Sequence, residues 1–486
     1  MKRMVQRTLL IVPAAVAFIA VQCVGHAQEK STASLALPSD AEINKLLTDR
    51  IDVDHWGTGI VVGVITPQGR RIFSYGKLDQ GDPHPLNGDT VFEIGSVTKV
   101  FTSLLLADMV QRGEVALTDP VEKYLPAGVR TPEWKGHKIT LVDLATQTSG
   151  LPFFPTDLDA VEDPASVDRY TEKQLYAFLS HYELLHDIGV HWEYTNLGVG
   201  LLGHALARRA GTDYAGLVHA RITGPLGMKS TALTLSPSMK GRFAVGHDTE
   251  LKPTPELYMP AMAGAGALRS SANDLLTLLA AFLGDNPSPL APAMPRMLET
   301  VRPADDWLLY LGGKQALGWW IIGTGDDRII AHAGETLGFS CSVAYNPKTH
   351  VGVVALTNSP NGGNEVAMHL LRPSYPYSRP GKPGAAPKAH KEITVDPKLF
   401  DRYAGKYRAA PNVIIVIARR GDTLTFMSPS YPQVRLHAEG ERDYFIAQSG
   451  VTLTFEGDEG GRPTTLMLHL PGLPPIPAKR LDLQAQ

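Results

Sequence analysis

Residues 92–110 read FEIGSVTKVFTSLLLADMV, an almost wholly apolar run that predicts a buried helix beginning near Ser96. Lys99 follows Ser96 by three positions, so on a helix the two side chains lie on the same face. Burial disfavours the charged form of lysine and lowers its pKa. A neutral amine can take the proton of a serine hydroxyl and make the serine a nucleophile. The run therefore predicts that Ser96 is a nucleophile and that Lys99 is its base.

The start of this helix offers a second catalytic feature. Backbone N–H groups point outward from a helix N-terminus, and there they stabilise negative charge. The N–H of Ser96 is therefore expected to hold an oxyanion that develops on a substrate.

The S-x-x-K pattern alone is weak evidence for a catalytic serine, because residues 74–77 contain a second copy, Ser74-Tyr75-Gly76-Lys77. That copy falls in a predicted strand, where positions i and i+3 face opposite sides. We expect the second copy to be chemically inert.

Two more short motifs follow in the chain. Tyr194-Thr195-Asn196 forms a Y-x-N motif, and His332-Ala333-Gly334 stands just before a predicted strand. Together with S-x-x-K and three further segments, they resemble the class C branch of the serine β-lactamase and penicillin-binding protein-like superfamily. That branch includes class C β-lactamases, D-alanyl-D-alanine carboxypeptidases, D-aminopeptidases and family VIII carboxylesterases. The resemblance covers about residues 40–360, and the further segments are ITLVDLATQTSGLP (139–152), GPLGMKST (224–231) and GAGALRSSANDL (264–275).

The resemblance implies a role for each matching residue. Ser96 is the acylated nucleophile and Lys99 its base partner. Tyr194 is a second proton relay, which activates Ser96 or the deacylating water. Asn196 binds the substrate amide or orients Lys99.

The third motif of the family implies further contacts. His332 stands where the family often has lysine, near the tyrosine hydroxyl. Gly334 lets the strand approach the substrate, and the N–H of Glu335 completes the oxyanion hole. Class C β-lactamases usually carry K-T-G here, whereas Ala333 has no hydroxyl and His332 is mostly neutral near pH 7. We therefore expect weak recognition of a substrate carboxylate and slow β-lactam hydrolysis.

The order of predicted elements indicates an α+β fold. Ser39 and Glu42 form a capping-box pattern, and GIVVGVITPQGRRIFSYGKLD (59–79) predicts a hairpin. Residues 92–300 are mostly helix and loop, and strands return after Leu317. This pattern fits an antiparallel sheet flanked by helices with a mostly helical insertion. We assign residues 28–371 to this serine hydrolase domain.

Composition changes after residue 371. Residues 372–390 are rich in Pro and Gly and predict a linker. Beyond it, Val451, Leu453 and Phe455 alternate with polar residues, as do Leu466, Leu468 and Leu470. Residues 391–486 therefore predict a small all-β barrel-like domain. Its segments LFDRYAGKYR and AKRL resemble the lipocalin-like domain often appended to such hydrolases.

The N-terminus predicts export. Basic residues precede an apolar run from Leu9 to Val21, and Gly25-His26-Ala27 offers a cleavage site, so residues 1–27 are expected to be a signal peptide. An uncleaved anchor and lipidation at Cys23 are the alternatives. We predict a periplasmic or secreted protein without stable membrane insertion after cleavage. Cys341 alternates with apolar residues and predicts a buried strand position rather than a nucleophile.

The chain has 486 residues and a formal net charge of −3, so it lacks the basic balance of a nucleic-acid-binding protein. The histidines at 181, 186 and 191 are five residues apart, which is not the i, i+4 spacing of a helical metal pair, and no G-x-S-x-G elbow occurs. We expect no metal and no cofactor. The prediction is an exported serine hydrolase acting on β-lactam or D-alanyl peptide bonds of a small-molecule or peptide substrate. The alternatives are a family VIII-type carboxylesterase and a non-catalytic binding protein, and the oligomeric state is left open.

Overall fold

The computed structural model describes residues 37–158, 160, 163–304, 313–360, 362–375, 377, 390–410, 413–428, 433–446, 451–458, 461–469 and 475–481. The predicted signal peptide with Cys23, residues 378–389 of the predicted linker and Leu470 lie outside these residues. Within the described part, none of the helices has the length and apolar character needed to cross a membrane.

The main sheet joins both ends of the predicted hydrolase domain, residues 28–371, as the sequence predicts. Its eight strands run in the order β2-β1-β12-β11-β10-β9-β8-β7, and neighbouring strands pair in antiparallel fashion. The early strand β1 pairs with the late strand β12, with Ile60 opposite Thr357. The strands up to residue 357 are β1 Gly59–Thr66, β2 Gly69–Gly76, β3 Val91–Glu93, β4 Glu133–Trp134, β5 His137–Lys138, β6 Arg269–Ser271, β7 Arg302–Pro303, β8 Lys314–Gln315, β9 Trp320–Ile322, β10 Ile329–Glu335, β11 Ser340–Asn346 and β12 Val351–Thr357.

Capping side chains fix where several helices begin. The Ser39 side chain accepts from the N–H of Glu42, whose carboxylate accepts from the N–H of Ser39, so the predicted capping box is confirmed. The described helices are α1 Asp40–Thr48, α2 Thr98–Gln111, α3 Leu141–Ala145, α4 Ser166–Arg169, α5 Glu172–His181, α6 Asn196–Ala210, α7 Tyr214–Val218, α8 Gly224–Leu226, α9 Pro237–Lys240, α10 Ala272–Leu283, α11 Arg296–Glu299, α12 Val366–Leu371 and α13 Lys398–Tyr403.

Successive residues along the strands of the main sheet face two different apolar cores, one on each side of the sheet. Val61, Val343 and Leu356 face a large core that contains α2, α6 and α10. Ile60, Ala344 and Ala355 face a smaller core that contains α1 and α12. The sheet therefore lies between two helical layers, and α2 is buried almost completely because it is apolar on all sides.

The C-terminal part is a closed antiparallel barrel of eight strands. Tyr407, Tyr444 and Phe455 are fully buried, and the Tyr403 ring stacks on Phe455 with ring centroids 4.3 Å apart. Aromatic side chains thus fill the interior, as expected for a small barrel. The strands are β13 Gly405–Ala410, β14 Val413–Arg420, β15 Thr423–Met427, β16 Val434–Ala438, β17 Asp443–Phe445, β18 Thr452–Glu456, β19 Thr465–His469 and β20 Ile476–Arg480.

The beginning of the predicted linker packs against the hydrolase part. Tyr375 and Tyr377 contact the core that contains α1 and α12. The Arg50 guanidinium lies 3.9 Å from the Tyr377 ring centroid, and His369 stacks on the same ring at 4.6 Å. Apolar burial and cation–π contact therefore hold the chain as far as residue 377.

Candidate active site

Ser96 lies in a short 3-10 turn, Gly95–Val97, that leads into α2. The predicted α-helix therefore starts two residues later than Ser96, but the turn keeps Ser96 and Lys99 close. The turn follows β3, and Ile94 donates its N–H to the carbonyl of Leu268 at 3.0 Å. This hydrogen bond ties the turn to the chain just before β6. Ser96 remains partly exposed, whereas its neighbours Gly95 and Val97 are buried.

Lys99 is 1% exposed and lies in the first turn of α2. Its Nζ is 2.9 Å from Ser96 Oγ, 2.6 Å from Asn196 Oδ1 and 2.8 Å from the carbonyl oxygen of Ala265. All three partners are uncharged, and burial holds the pKa of Lys99 well below its ordinary value. The surroundings therefore favour the neutral amine.

A neutral amine has two N–H donors and one lone pair. Asn196 Oδ1 and the Ala265 carbonyl oxygen can only accept, so they take both N–H groups of Lys99. The lone pair is then left for the hydroxyl proton of Ser96. This arrangement suits proton transfer from Ser96 to Lys99.

Tyr194 also contacts Ser96. A side-chain hydrogen bond joins the two residues, and the Tyr194 ring centroid is 4.7 Å from Lys99 Nζ. Burial raises the pKa of Tyr194, although the hydrogen bond with Ser96 opposes that shift. The phenol is therefore protonated at neutral pH and available as a hydrogen-bond donor.

The Y-x-N motif owes its geometry to a helix cap. Thr195 is the N-cap of α6 and accepts from the N–H of Gly198 at 2.9 Å, so Asn196 is the first residue of the helix. The Gln147 side chain accepts from the N–H of Thr195 at 2.8 Å, and Gln147 has a left-handed φ of 61°. The segment 139–152 thus supports the motif through Gln147, a residue whose role no local sequence pattern indicates.

Strand β10 approaches the Ser96 turn very closely. A Cβ on Gly334 would lie 2.1 Å from the carbonyl oxygen of Ile94 and 3.0 Å from the Ser96 nitrogen. A Cβ on Gly95, whose φ is +46°, would lie 2.6 Å from the Glu335 nitrogen. Only glycine fits at either position, and the two glycines bring the backbones of Ser96 and Glu335 together.

The N–H of Glu335 points to the edge of β10 that faces the Ser96 turn. Thr336 donates its N–H to the Phe339 carbonyl at 2.9 Å, so the alternation of an antiparallel ladder turns the Glu335 N–H and C=O away from β11. On that other side β9 pairs only with Ile329, Ile330 and Ala331. The edge at Glu335 is thus free of a strand partner among the described residues, next to the Ser96 turn.

His332 is buried and stacks on Trp320, with ring centroids 4.4 Å apart and planes 20° apart. Its Nδ1 is 2.6 Å from the carbonyl oxygen of Ala333. Burial, with a smaller contribution from Lys99, lowers the pKa of His332 to about 3. The ring is neutral at physiological pH, in agreement with the expectation from sequence, whereas the stacking on Trp320 was not predicted.

The Glu335 side chain has no signal in the sequence, because the motif implies a role only for the backbone N–H of this residue. Glu335 is half-buried, and its Oε2 accepts from Asn364 Nδ2 at 2.8 Å. Burial raises the pKa of Glu335 to about 7, and the hydrogen bond from Asn364 opposes the shift.

The remaining candidate residues from the sequence, Ser74 and Cys341, do not belong to this group of side chains. Ser74 sits in β2 and donates to the Leu86 carbonyl at 2.9 Å, so the second S-x-x-K copy has a local structural contact. Cys341 is fully buried in β11, as predicted, and its thiol contacts the Ile94 carbonyl at 3.0 Å. In the part of the chain that the structure describes, no cluster of His, Cys, Asp and Glu is arranged to hold a metal ion.

A buried ion pair lies directly before the Ser96 turn and holds β3 to β6. Arg269 of β6 contacts Glu93 of β3, with Nη2 3.2 Å from Oε1, and both side chains are almost fully buried. The N–H of Leu257 donates to the same Glu93 oxygen at 2.8 Å. Sequence spacing gives no sign of this pair, because its members are 176 residues apart.

Comparison with known proteins identifies relatives of the hydrolase part. The Beta-lactamase family model matches residues 43–372. The D-alanyl-D-alanine-carboxypeptidase/endopeptidase AmpH of Escherichia coli (strain K12) is 33% identical over 322 residues, covering 64% of this chain and 82% of AmpH. A Beta-lactamase of Pseudomonas fluorescens is 26% identical, covering 64% of this chain and 92% of the relative.

Solved structures of similar proteins agree with the family match. A class C β-lactamase from Rhodobacter sphaeroides superposes with a TM-score of 0.58 at 28% identity, covering 68% of this chain and 98% of that protein. A β-lactamase/D-alanine carboxypeptidase from Yersinia pestis superposes with a TM-score of 0.57 at 25% identity, covering 68% of this chain and 99% of that protein.

Proposed function

This chain belongs to the Beta-lactamase family and is a serine hydrolase, and from that starting point we propose that it cleaves β-lactam or D-alanyl peptide amide bonds through an acyl-enzyme on Ser96. One observation carries the proposal. The buried amine of Lys99 lies 2.9 Å from Ser96 Oγ, while two carbonyl oxygens occupy its N–H groups. The names of the relatives, a D-alanyl-D-alanine carboxypeptidase/endopeptidase and a β-lactamase, support the choice of bond.

Acylation begins when Lys99 Nζ takes the hydroxyl proton of Ser96. The Ser96 oxygen then attacks the substrate carbonyl carbon, and the N–H groups of Ser96 and Glu335 stabilise the negative charge on the carbonyl oxygen. The C–N bond breaks as the leaving nitrogen receives a proton through the Tyr194 hydroxyl, which is replenished from Lys99. The product is an ester on Ser96, and Lys99 is neutral again.

Deacylation uses the same groups in the opposite sense. A water molecule gives one proton to the Lys99 and Tyr194 pair and attacks the ester carbonyl. The tetrahedral intermediate collapses, the bond to the Ser96 oxygen breaks, and Ser96 recovers its proton. Asn196 holds the Lys99 amine in place throughout, because its Oδ1 accepts from Nζ at 2.6 Å.

Ester hydrolysis is the second candidate function. Ala333 offers no hydroxyl to a substrate carboxylate, and the neutral ring of His332 offers no positive charge. A site without these two contacts binds an uncharged ester as well as it binds an anionic substrate. The same acyl-enzyme chemistry applies to an ester, with an alcohol as the leaving group.

A substrate panel tests the proposal. The wild-type protein is incubated with a penicillin, a D-alanyl-D-alanine peptide and a p-nitrophenyl ester, and turnover is measured with the Ser96→Ala variant beside it. We expect turnover of at least one amide substrate by the wild type and none by the variant. Turnover of the ester alone would establish the second candidate instead.

The proposal includes export. The basic, apolar and small-residue segments of residues 1–27 have the order of a secretory signal, and we propose that the mature chain begins near Gln28 outside the cytoplasm. N-terminal sequencing of the protein from its native cell tests this. A cytoplasmic protein that starts at Met1 would contradict it.

A further inference from the structure

The Glu335 side chain belongs to the residue whose backbone N–H we place in the oxyanion hole, but it takes no part in the proposed chemistry. The N–H and C=O of Glu335 both face the edge of β10 beside the Ser96 turn, where a Cβ on Gly95 would lie 2.6 Å from the Glu335 nitrogen and 2.6 Å from its carbonyl oxygen. A substrate held by that N–H extends along the edge as an added strand would. Its residues on either side of the scissile carbonyl therefore lie within a few ångströms of Glu335.

The carboxylate of Glu335 is on the same face of β10 as Ala333, because side chains alternate along a strand. The resemblance to class C β-lactamases implies that the threonine hydroxyl of their K-T-G motif, at the position of Ala333, holds a substrate carboxylate on this face. In this chain the face presents a methyl group at position 333 and an acid at position 335. An acid at this place repels a substrate carboxylate instead of holding it.

Asn364 gives a second, independent indication. Its Nδ2 donates to Glu335 Oε2 at 2.8 Å, and this contact orients the amide. Its Oδ1 is buried and has no hydrogen-bond partner within the described residues. A buried acceptor without a donor is unfavourable, so this part of the site favours a neighbouring N–H donor over an anion.

We propose that Glu335, with Asn364, selects substrates by charge: the site accepts neutral or amine-bearing groups beside the scissile carbonyl and rejects carboxylates. This inference rests on the proposed function and narrows it. Interior D-alanyl peptide bonds and uncharged esters are the preferred substrates, and penicillins and C-terminal D-alanine are poor ones. Among the described residues, the hydrogen-bond partner of the Glu335 carboxylate is the uncharged amide of Asn364. This amide does not neutralise the negative charge of Glu335, so the carboxylate still repels an anion.

Three substrates with a negative, a neutral and a positive terminal group test this selection. They are N-acetyl-D-alanyl-D-alanine as the free acid, as the amide and as the 2-aminoethylamide, assayed at pH 8.5, where Glu335 is ionised. The measured quantity is the ratio of kcat/KM values. For the wild type we expect the free acid to be cleaved about tenfold or more slowly than the amide, and the aminoethylamide at least as fast as the amide.

Substitutions assign the preference to Glu335. In Glu335→Gln, which keeps the shape and an acceptor for Asn364, the acid-to-amide ratio should rise about tenfold, and Glu335→Lys should reverse the preference. The control Glu299→Gln removes the same charge from an exposed helical position and should leave the ratio unchanged. An unchanged ratio in Glu335→Gln, or a wild type that cleaves the acid as fast as the amide, would overturn the inference and leave the proposed function intact. A wild type that cleaves none of the peptides and no ester would overturn both.

Discussion

At the scale of single residues, the proposed chemistry depends on Lys99. Replacing Lys99 with Ala removes the amine that takes the Ser96 proton, so acylation should slow by ~10²–10⁴-fold. The fold should persist, because the surrounding helix is held by apolar packing. Stopped-flow acylation kinetics and a circular dichroism spectrum measure the two effects. Lys77→Ala is the matched control, since Lys77 belongs to the inert S-x-x-K copy, and a similar loss in that variant would contradict the assignment.

The pH dependence of acylation follows from the same residue. Burial lowers the pKa of Lys99, so the amine is neutral above that lowered pKa and protonated below it. The rate of acylation should therefore rise with pH through the Lys99 pKa and level off below the ordinary range of lysine, about 10.4. The pKa of His332 is about 3, so a His332→Asn variant should keep the acid limb of kcat/KM in place. A limb near the ordinary histidine pKa, about 6.5, that disappears in this variant would show that His332 titrates in the working range.

The missing hydroxyl at Ala333 is expected to limit recognition of a substrate carboxylate. Ala333→Thr supplies a hydroxyl on the strand edge, and a hydrogen bond to a charged group contributes ~1.5–3 kcal/mol. Penicillin turnover should therefore rise relative to ester turnover by about one to two orders of magnitude. Adding His332→Lys should increase the ratio further. Steady-state assays of both substrates decide the question, and an unchanged ratio would mean that carboxylates are recognised elsewhere.

At the scale of elements, the close approach of β10 to the Ser96 turn aligns the site. Gly334→Ala places a Cβ 2.1 Å from the Ile94 carbonyl oxygen, so strand and turn must separate. We expect a loss of ~1–3 kcal/mol in the free energy of unfolding and a fall in kcat of more than about a hundredfold. Gly241→Ala is the control, because its φ is −70° and its Cβ would meet open space. Full activity in Gly334→Ala would contradict this role of β10.

The sequence predicted those parts of the structure that depend on local spacing. The capping box at Ser39, the early hairpin and the shared face of Ser96 and Lys99 all follow from patterns a few residues long. The partners of Lys99 could only be partly foreseen, because Asn196 belongs to a motif whereas Ala265 contributes a backbone carbonyl that any residue type could supply.

Long-range side-chain contacts could not be predicted from such local patterns. The pairing of Glu93 with Arg269 depends on how β3 meets β6, and the pairing of Glu335 with Asn364 depends on how β10 meets the segment between β12 and α12. No periodicity in one segment encodes which distant segment will pack against it. The acid at position 335 therefore became interpretable only when its neighbours were known.

At the scale of the whole molecule, the barrel has a core of its own. Its buried side chains come from residues 400–478, whereas the two cores of the hydrolase part contain no described residue beyond Tyr377. We expect a chain that ends after residue 377 to fold and to hydrolyse a small ester within a few-fold of the full-length rate. Thermal unfolding and kcat/KM of the shortened protein measure this. An insoluble or inactive product would show that the hydrolase part depends on the barrel.

The most direct test of the central claim is to locate the acyl group. The protein is mixed with a fluorescent penicillin and, separately, with an activated ester, quenched in acid during turnover, and analysed by intact mass and peptide mapping. The account predicts one acyl group per chain, attached to Ser96 in the peptide that contains Lys99, and no adduct in Ser96→Ala. An acyl group on another residue, or turnover that persists in Ser96→Ala, would contradict it.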